Sequence, residues 1–277
     1  MLLIAEKLFL WFLFYSCCGW VYESILVSVQ ERRPVNRGFL NGPLCPIYGT
    51  GAVLGVVLLG RVHNPLWLFL LSSVGACVLE YFTSWAMERL FHARWWDYSH
   101  FKFNLNGRIC LLGAVVFGIG GVVIVDGVQP YVAEITDMMP EPVIHWLCLI
   151  LFVLTVLDTA ITVAGIVNFE DSLDQLSAMV AKYGDAMRDR LGDAADAVSD
   201  ASGKVSELVG GAVNGPLHSG REMSTELMFK VREAADGIFN RQQRRMIASF
   251  PRLRTDRNNE TLQQLRETFE KLYRGRK

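Results

Sequence analysis

Five apolar stretches fill most of the first 168 residues, at about 8–29, 45–60, 66–88, 109–125 and 143–167. A helix needs about 20 mostly apolar residues to cross the hydrocarbon layer of a bilayer. A chain that repeats such stretches with short polar connections has few folds open to it. The expectation is an all-α, polytopic membrane helix bundle of about five spans over residues 1–168, with a helical cytoplasmic tail over 169–277. The first stretch has neither a basic leader nor a small-x-small cleavage site, so it is expected to stay on the chain as a span. The second is the shortest and the richest in glycine, with Gly49, Gly51 and Gly55 placed where helix backbones can approach closely in lipid.

Charge supports the same division. Of 27 basic and 28 acidic residues, twenty lie before residue 169, a change of composition that marks a change of solvent. The loop after the first stretch carries Arg32, Arg33 and Arg37, and the loop after the third carries Arg89, Arg94, Lys102 and Arg108. The loop after the second has Arg61 alone. The loop expected after the fourth has no base but holds Asp126, Glu134, Asp137 and Glu141. Basic loops stay in the cytoplasm, so the N-terminus is expected outside and the tail inside, with the chain crossing the cell membrane several times. The six cysteines sit in or beside apolar stretches without C-x-x-C spacing, and the five histidines are scattered. No metal site and no cofactor are expected.

Three carboxylates interrupt the apolar stretches. Counting 1.5 Å per residue from the inner ends, Glu23, Glu80 and Asp158 lie about 10, 12 and 13 Å deep. A charge facing lipid at mid-bilayer costs roughly 2.5–3.5 kcal/mol, so these acids are expected to share a polar interior, to be protonated or to pair with cations. Asp158 shares a helix face with Thr155, Thr159 and Thr162. Glu80 shares one with Cys77, Ser84 and Glu88.

Two loops on the same side carry unusual chemistry. The first reads Arg37-Gly38-Phe39-Leu40-Asn41-Gly42-Pro43-Leu44-Cys45-Pro46-Ile47-Tyr48-Gly49, whose glycines and prolines specify tight turns and would let backbone dip into the bundle where protein covers it. The second reads Trp95-Trp96-Asp97-Tyr98-Ser99 and then Phe103-Asn104-Leu105-Asn106-Gly107-Arg108. Its aromatics suit the headgroup interface. Joined to the acids, the loops suggest one inward-facing polar site of Glu23, Arg37, Asn41, Tyr48, Glu80, Trp96, Asp97, Asn104, Arg108 and Asp158. Within it Arg37 and Arg108 are the natural partners of Glu23 and Glu80. Such a charge set can bind an anionic headgroup, relay protons or carry out acid–base chemistry.

These motifs, with Trp20-Val21-Tyr22-Glu23 and Leu79-Glu80, resemble a bacterial integral membrane family labelled as ABC-transporter permease, type IV. The resemblance covers roughly residues 8–170, and Phe250-Pro251-Arg252-Leu253 is similar to a tail element of that family. It implies a transport-related subunit without assigning a substrate or a catalytic residue. The chain has no G-x-x-x-x-G-K-[ST] phosphate loop, since Gly203-Lys204 precedes Val205, so an ATPase would be a separate partner chain. Five spans are few for a substrate path, so a homo-oligomer or larger complex is expected, in contact with membrane lipid.

In the tail, Leu173, Leu176, Val180, Tyr183, Met187, Leu191, Ala194 and Val198 recur at helical steps, as an amphipathic helix capable of coiled-coil packing would require. Gly210-Gly211 and Asn214-Gly215-Pro216 break it, and further helices are expected at about 221–248 and 258–273. The basic run Arg241, Arg244, Arg245, Arg252, Arg254 and Arg257 suits anionic lipid or a solvated face, and a nucleic-acid partner is not expected. Two other readings stay open. One is a membrane enzyme acting on a lipid-linked substrate with Glu23, Glu80 or Asp97 as acid–base groups. The other is a scaffold that assembles envelope proteins.

Overall fold

The computed structural model describes residues 1–179, 181–182, 233, 235, 237–255, 257–263 and 265–266. The amphipathic tail stretch beyond residue 182, its coiled-coil packing, the break at 210–216 and residues 267–273 lie outside the described residues. The chain divides into two units, one of Met1–Val167 with Arg241–Arg254 and the other of Asn168–Asn240 with Thr255–Lys277.

The first unit is a helical bundle. Its helices are α1 (Leu2–Glu31), α2 (Pro46–Leu59), α3 (Pro65–Phe91), α4 (Leu111–Val122), α5 (Gln129–Met138), α6 (Glu141–Ile166) and α7 (Arg241–Ser249). Four helical stretches are long and apolar enough to cross a membrane: α1, α3, the stretch Leu111–Met138, and the stretch that begins at Glu141. The exception is α2, with 14 residues or about 21 Å at 1.5 Å per residue.

The loop before α2 supplies the missing length. The Cys45 amide donates to the Ser16 carbonyl at 3.0 Å, at a point about 20 Å back along α1 from Glu31. The chain therefore leaves α1, runs back along it as irregular backbone past Ser28, Ser24 and Ser16, and only then starts α2. Loop and short helix together make one passage. Glycine permits the contact: a Cβ on Gly49 would strike Ser16 Oγ and the carbonyl and ring of Phe12, and one on Gly19 would strike the Tyr48 side chain. Gly49→Ala should therefore force α1 and α2 apart, at a cost of about 1–3 kcal/mol, read as a lower midpoint of thermal unfolding in lipid nanodiscs.

Local sequence sets the other boundaries. Asn64 caps α3 by accepting from the amides of Leu66 (2.9 Å) and Trp67 (3.3 Å), and Pro65 occupies the first turn, where its missing N–H costs nothing. Arg32 and His92 close α1 and α3 in the left-handed region, each with φ of 52°. Small residues on α4 let it lie against α3, with Gly118 facing Phe69 and Ser73 and Gly121 facing Ser72.

Two sequence expectations change here. The acidic region after the fourth stretch is helical: a π-helical turn (Val123–Val128) joins α4 to α5, and only Met139 and Pro140 separate α5 from α6. Exposed acids do not end a helix, and Asp137 takes Lys7 at 2.6 Å while Glu6 takes His145 at 2.7 Å. The tail segment Arg241–Arg254 belongs to the bundle unit, whereas its charge alone suggested a lipid-facing or solvated strip.

The second unit has its own small core among the described residues. Phe169, Leu173, Leu176, Ala235, Phe239, Leu262 and Leu265 are buried, with the rings of Phe169 and Phe239 6.1 Å apart. The Asn258 amide donates to Glu170 at 3.0 Å and to Asp174 at 2.6 Å.

Candidate functional site

The last turns of α1, the start of α2, the last turns of α3 and the two Arg-rich loops meet at one end of the bundle. Glu23 projects from α1 and accepts from the Tyr48 hydroxyl at 2.5 Å. Arg37 Nε lies 3.5 Å from the other oxygen of Glu23, so the expected pairing is present. The Arg37 backbone is held by Ser24 Oγ at 3.2 Å. Its guanidinium donates to the Ser249 carbonyl at 3.4 Å and sits 4.2 Å from the centroid of the Phe250 ring, a cation–π distance. Burial pushes the guanidinium below its ordinary pKa and Glu23 opposes that shift. Arginine's intrinsic basicity keeps it charged.

Glu80 differs from the expectation. It is buried, with 5% of its surface exposed, and its Oε1 accepts from the Tyr98 hydroxyl at 2.9 Å. Arg108 is not its partner. That guanidinium pairs with Glu88 on the same helix, donates to Ser84 at 3.2 Å and covers the Tyr81 ring, because the hairpin that carries it reaches the end of α3 rather than its interior. Arg94 joins Glu88 at 3.1 Å. Burial, then the adjacent Glu80 carboxyl, raise the Tyr98 phenol far above its ordinary pKa, so it stays a hydrogen-bond donor. Glu23 also acts on Tyr98 through space, which links the two tyrosine–carboxyl pairs electrostatically.

Asp158 forms a second cluster. It accepts from the amides of Asn41 (3.0 Å) and Gly42 (2.7 Å), from the Asn41 side chain (2.9 Å) and from Thr162 (3.3 Å). On the other side of the same loop, Arg245 of α7 donates to three successive carbonyls, those of Gly38 (2.9 Å), Phe39 (2.5 Å) and Leu40 (2.8 Å). One anion thus holds the loop's amides and one cation holds its carbonyls. Successive amides form a natural anion seat, and backbone inside a bundle needs such partners.

The second loop is mainly scaffold. Trp96 donates to the Arg108 carbonyl at 3.0 Å. Asn104 accepts from the Gly107 amide at 2.9 Å and donates to the Phe101 carbonyl at 2.6 Å. These bonds fix a hairpin in which Asn104 pairs with Cys110 and Leu105 with Ile109. Its turn residues Asn106 and Gly107 have φ of 54° and 67°, the conformation that an Asn-Gly pair favours. Asp97 accepts from the Ser99 amide (3.1 Å) and hydroxyl (2.8 Å) and from Arg254 (2.6 Å). Burial would raise its pKa, but Ser99 and Arg254 outweigh it and hold the carboxyl below its ordinary value. This contribution to stability is therefore present above the usual carboxylate range and is lost as pH falls through the lowered pKa. Trp95, expected at the headgroup interface, is buried beside Phe39, Phe91 and Phe250 at ring distances of 5.7, 5.3 and 6.4 Å.

The structure therefore brings Glu23, Arg37, Tyr48 and Glu80 together with Tyr98. It sets Asn41 and Asp158 aside as a loop clamp, and leaves Trp96, Asp97, Asn104 and Arg108 as supports. Tyr98, Glu88, Arg245 and Phe250 were not singled out from sequence. Each lies in a pattern already noticed, Tyr98 in the second loop, Glu88 on the Glu80 face, Arg245 in the basic run and Phe250 in the tail motif, but nothing local marks its partner. The opposite end of the bundle also holds polar contacts. Tyr15 donates to Gln129 at 2.8 Å and Trp11 to Thr136 at 3.1 Å, beside an open recess of ≈ 380 Å³ bordered by Trp11, Val57, Arg61, Gln129 and Ala133.

In comparisons with known proteins, a family model described as "Putative ABC-transporter type IV" matches residues 10–163, more than half of the chain. No curated protein and no solved structure matches.

Proposed function

The chain belongs to the family described as "Putative ABC-transporter type IV", and from that premise we propose that it is the membrane-spanning subunit of a transporter, with Glu23, Arg37, Tyr48, Glu80 and Tyr98 as its polar interior. The observation that carries this reading is the first loop. Irregular backbone runs about 20 Å back along α1, held from both sides by Asp158 and Arg245. Non-helical backbone at membrane depth is tolerated where protein buries it or where it lines a path for a polar solute.

In this reading the chain crosses the cell membrane several times with its Arg-rich loops in the cytoplasm, where α7 and the loop ends meet a separate ATPase subunit. More than one copy completes the path. The enzyme reading loses Asp97, whose carboxylate is committed to Ser99 and Arg254.

The test is purification from its native membrane in lipid nanodiscs, for wild type and Arg245→Ala. The expected result is an ATP-hydrolysing chain that copurifies with wild type and is depleted at least fivefold with Arg245→Ala. Absence of any ATPase from the wild-type complex overturns the reading.

A further inference from the structure

Among the described residues, four acids at the Arg-rich end of the bundle have a positive or multi-donor partner, and buried Glu80 does not. Glu23 has Arg37 and Tyr48, Glu88 has Arg94 and Arg108, Asp97 has Arg254 and Ser99, and Asp158 has the loop amides. Glu80 has the Tyr98 hydroxyl alone. Its Oε2 is buried and has no hydrogen-bond partner.

Among the described residues, no base contacts that oxygen. On α3 itself its helical neighbours are Cys77 and Ser84, and the Ser84 hydroxyl receives Arg108. From α1 comes Glu23, a second negative charge, and from the second loop Tyr98. On α4, Gly113 comes within 4.0 Å of Oε2, measured from where its Cβ would stand, close to Cys110. Arg108, which reaches Ser84 one turn along α3 from Glu80, is committed to Glu88. A bare, buried, ionised oxygen with a like charge nearby is among the most costly arrangements a protein interior can hold, while a proton on that oxygen removes the cost. Tyrosine donating to the other oxygen is compatible with a neutral carboxylic acid.

We propose that Glu80 is a proton-binding site, occupied in this conformation through Oε2. The proposal deepens the transport reading, on which it rests only for its consequence. Release of the proton, by heterolysis of the O–H bond and transfer to water, leaves two carboxylates, Glu23 and Glu80, for the single guanidinium of Arg37. The Arg37 contacts with Glu23, Ser249 and Phe250 are then under competition. Proton occupancy at Glu80 thus sets the charge of the polar interior, and a proton is the first ligand this site takes.

Infrared spectroscopy of the purified full chain in lipid vesicles tests this directly. At neutral pH the wild type should show a protonated-carboxyl C=O band. That band should be lost in Glu80→Gln, which keeps an acceptor for Tyr98, and should move to higher frequency in Tyr98→Phe, which removes the donor. In the wild type it should fade as the medium is made alkaline, an arm that needs no variant. A band that survives unchanged in Glu80→Gln, or a wild type with no such band at neutral pH, overturns the proposal. None of these readings depends on transport. A lost Glu80 band without a copurifying ATPase would sink the transport reading alone, and an active ATPase complex with an unaltered band would sink this one alone.

Discussion

Asp158→Ala is expected to destabilise the bundle by about 2–4 kcal/mol, because a carboxylate that accepts from two backbone amides and a side-chain amide is replaced by a group that accepts nothing. The amides of Asn41 and Gly42 would be left without partners beside α6. Gly42 is part-buried and Asn41 is exposed, so the figure stays well below that for a fully enclosed charge. Asp158→Asn should recover only part of the loss, since its NH2 group must turn away from the donors it faces. The measurement is the thermal unfolding midpoint in nanodiscs, with hydrogen exchange at Asn41 and Gly42 as the local reading. Faster exchange at these two amides with helix protection unchanged would show the clamp itself. If neither the midpoint nor the exchange moves, Asp158 does not hold the loop.

The second large effect is at Arg37. Arg37→Ala removes the base that pairs with Glu23 among the described residues and leaves a largely enclosed carboxylate with Tyr48 as its remaining donor. Breaking such a pair from one side is costly because the surviving charge stays desolvated. With the Glu23 side chain 24% exposed, the expected loss is about 2–3 kcal/mol, at or below the lower limit for fully buried pairs. Adding Glu23→Gln to Arg37→Ala should return much of it, so the cycle of single and double variants should show a coupling of about 1–2 kcal/mol. Additive effects would mean that Arg37 acts through Ser249 and Phe250, and not through Glu23.

Much of the bundle is legible in the sequence because lipid imposes a one-dimensional rule. A stretch of about 20 apolar residues has few alternatives to a spanning helix, and a break in charge density marks where that rule stops. The same reasoning placed Glu23 and Arg37 close together, since a first-stretch acid and the base just after it share one end of a helix. It misassigned Arg108. Sequence gives that residue a side of the membrane but no depth, and the hairpin built on Asn106-Gly107 carries it to Glu88. That hairpin carries a local signal, the Asn-Gly pair, which the aromatic reading of the loop obscured. The acidic region at 126–138 looked like a loop because charge was read as exposure outside the helix, whereas helices accept exposed acids readily.

What the sequence determined by itself is the solvent: apolar length and charge density commit residues 1–168 to a helical bundle suited to lipid, with its basic loops gathered at one end. What only the tertiary structure decided is partnership. Tyr98 with Glu80, Arg245 with the Gly38, Phe39 and Leu40 carbonyls, and Phe250 over Arg37 join residues 18 to 213 positions apart. No periodicity encodes such pairs. They follow from packing that brings distant segments together and from the cost of leaving any buried polar group alone, which each segment meets only after the chain has folded.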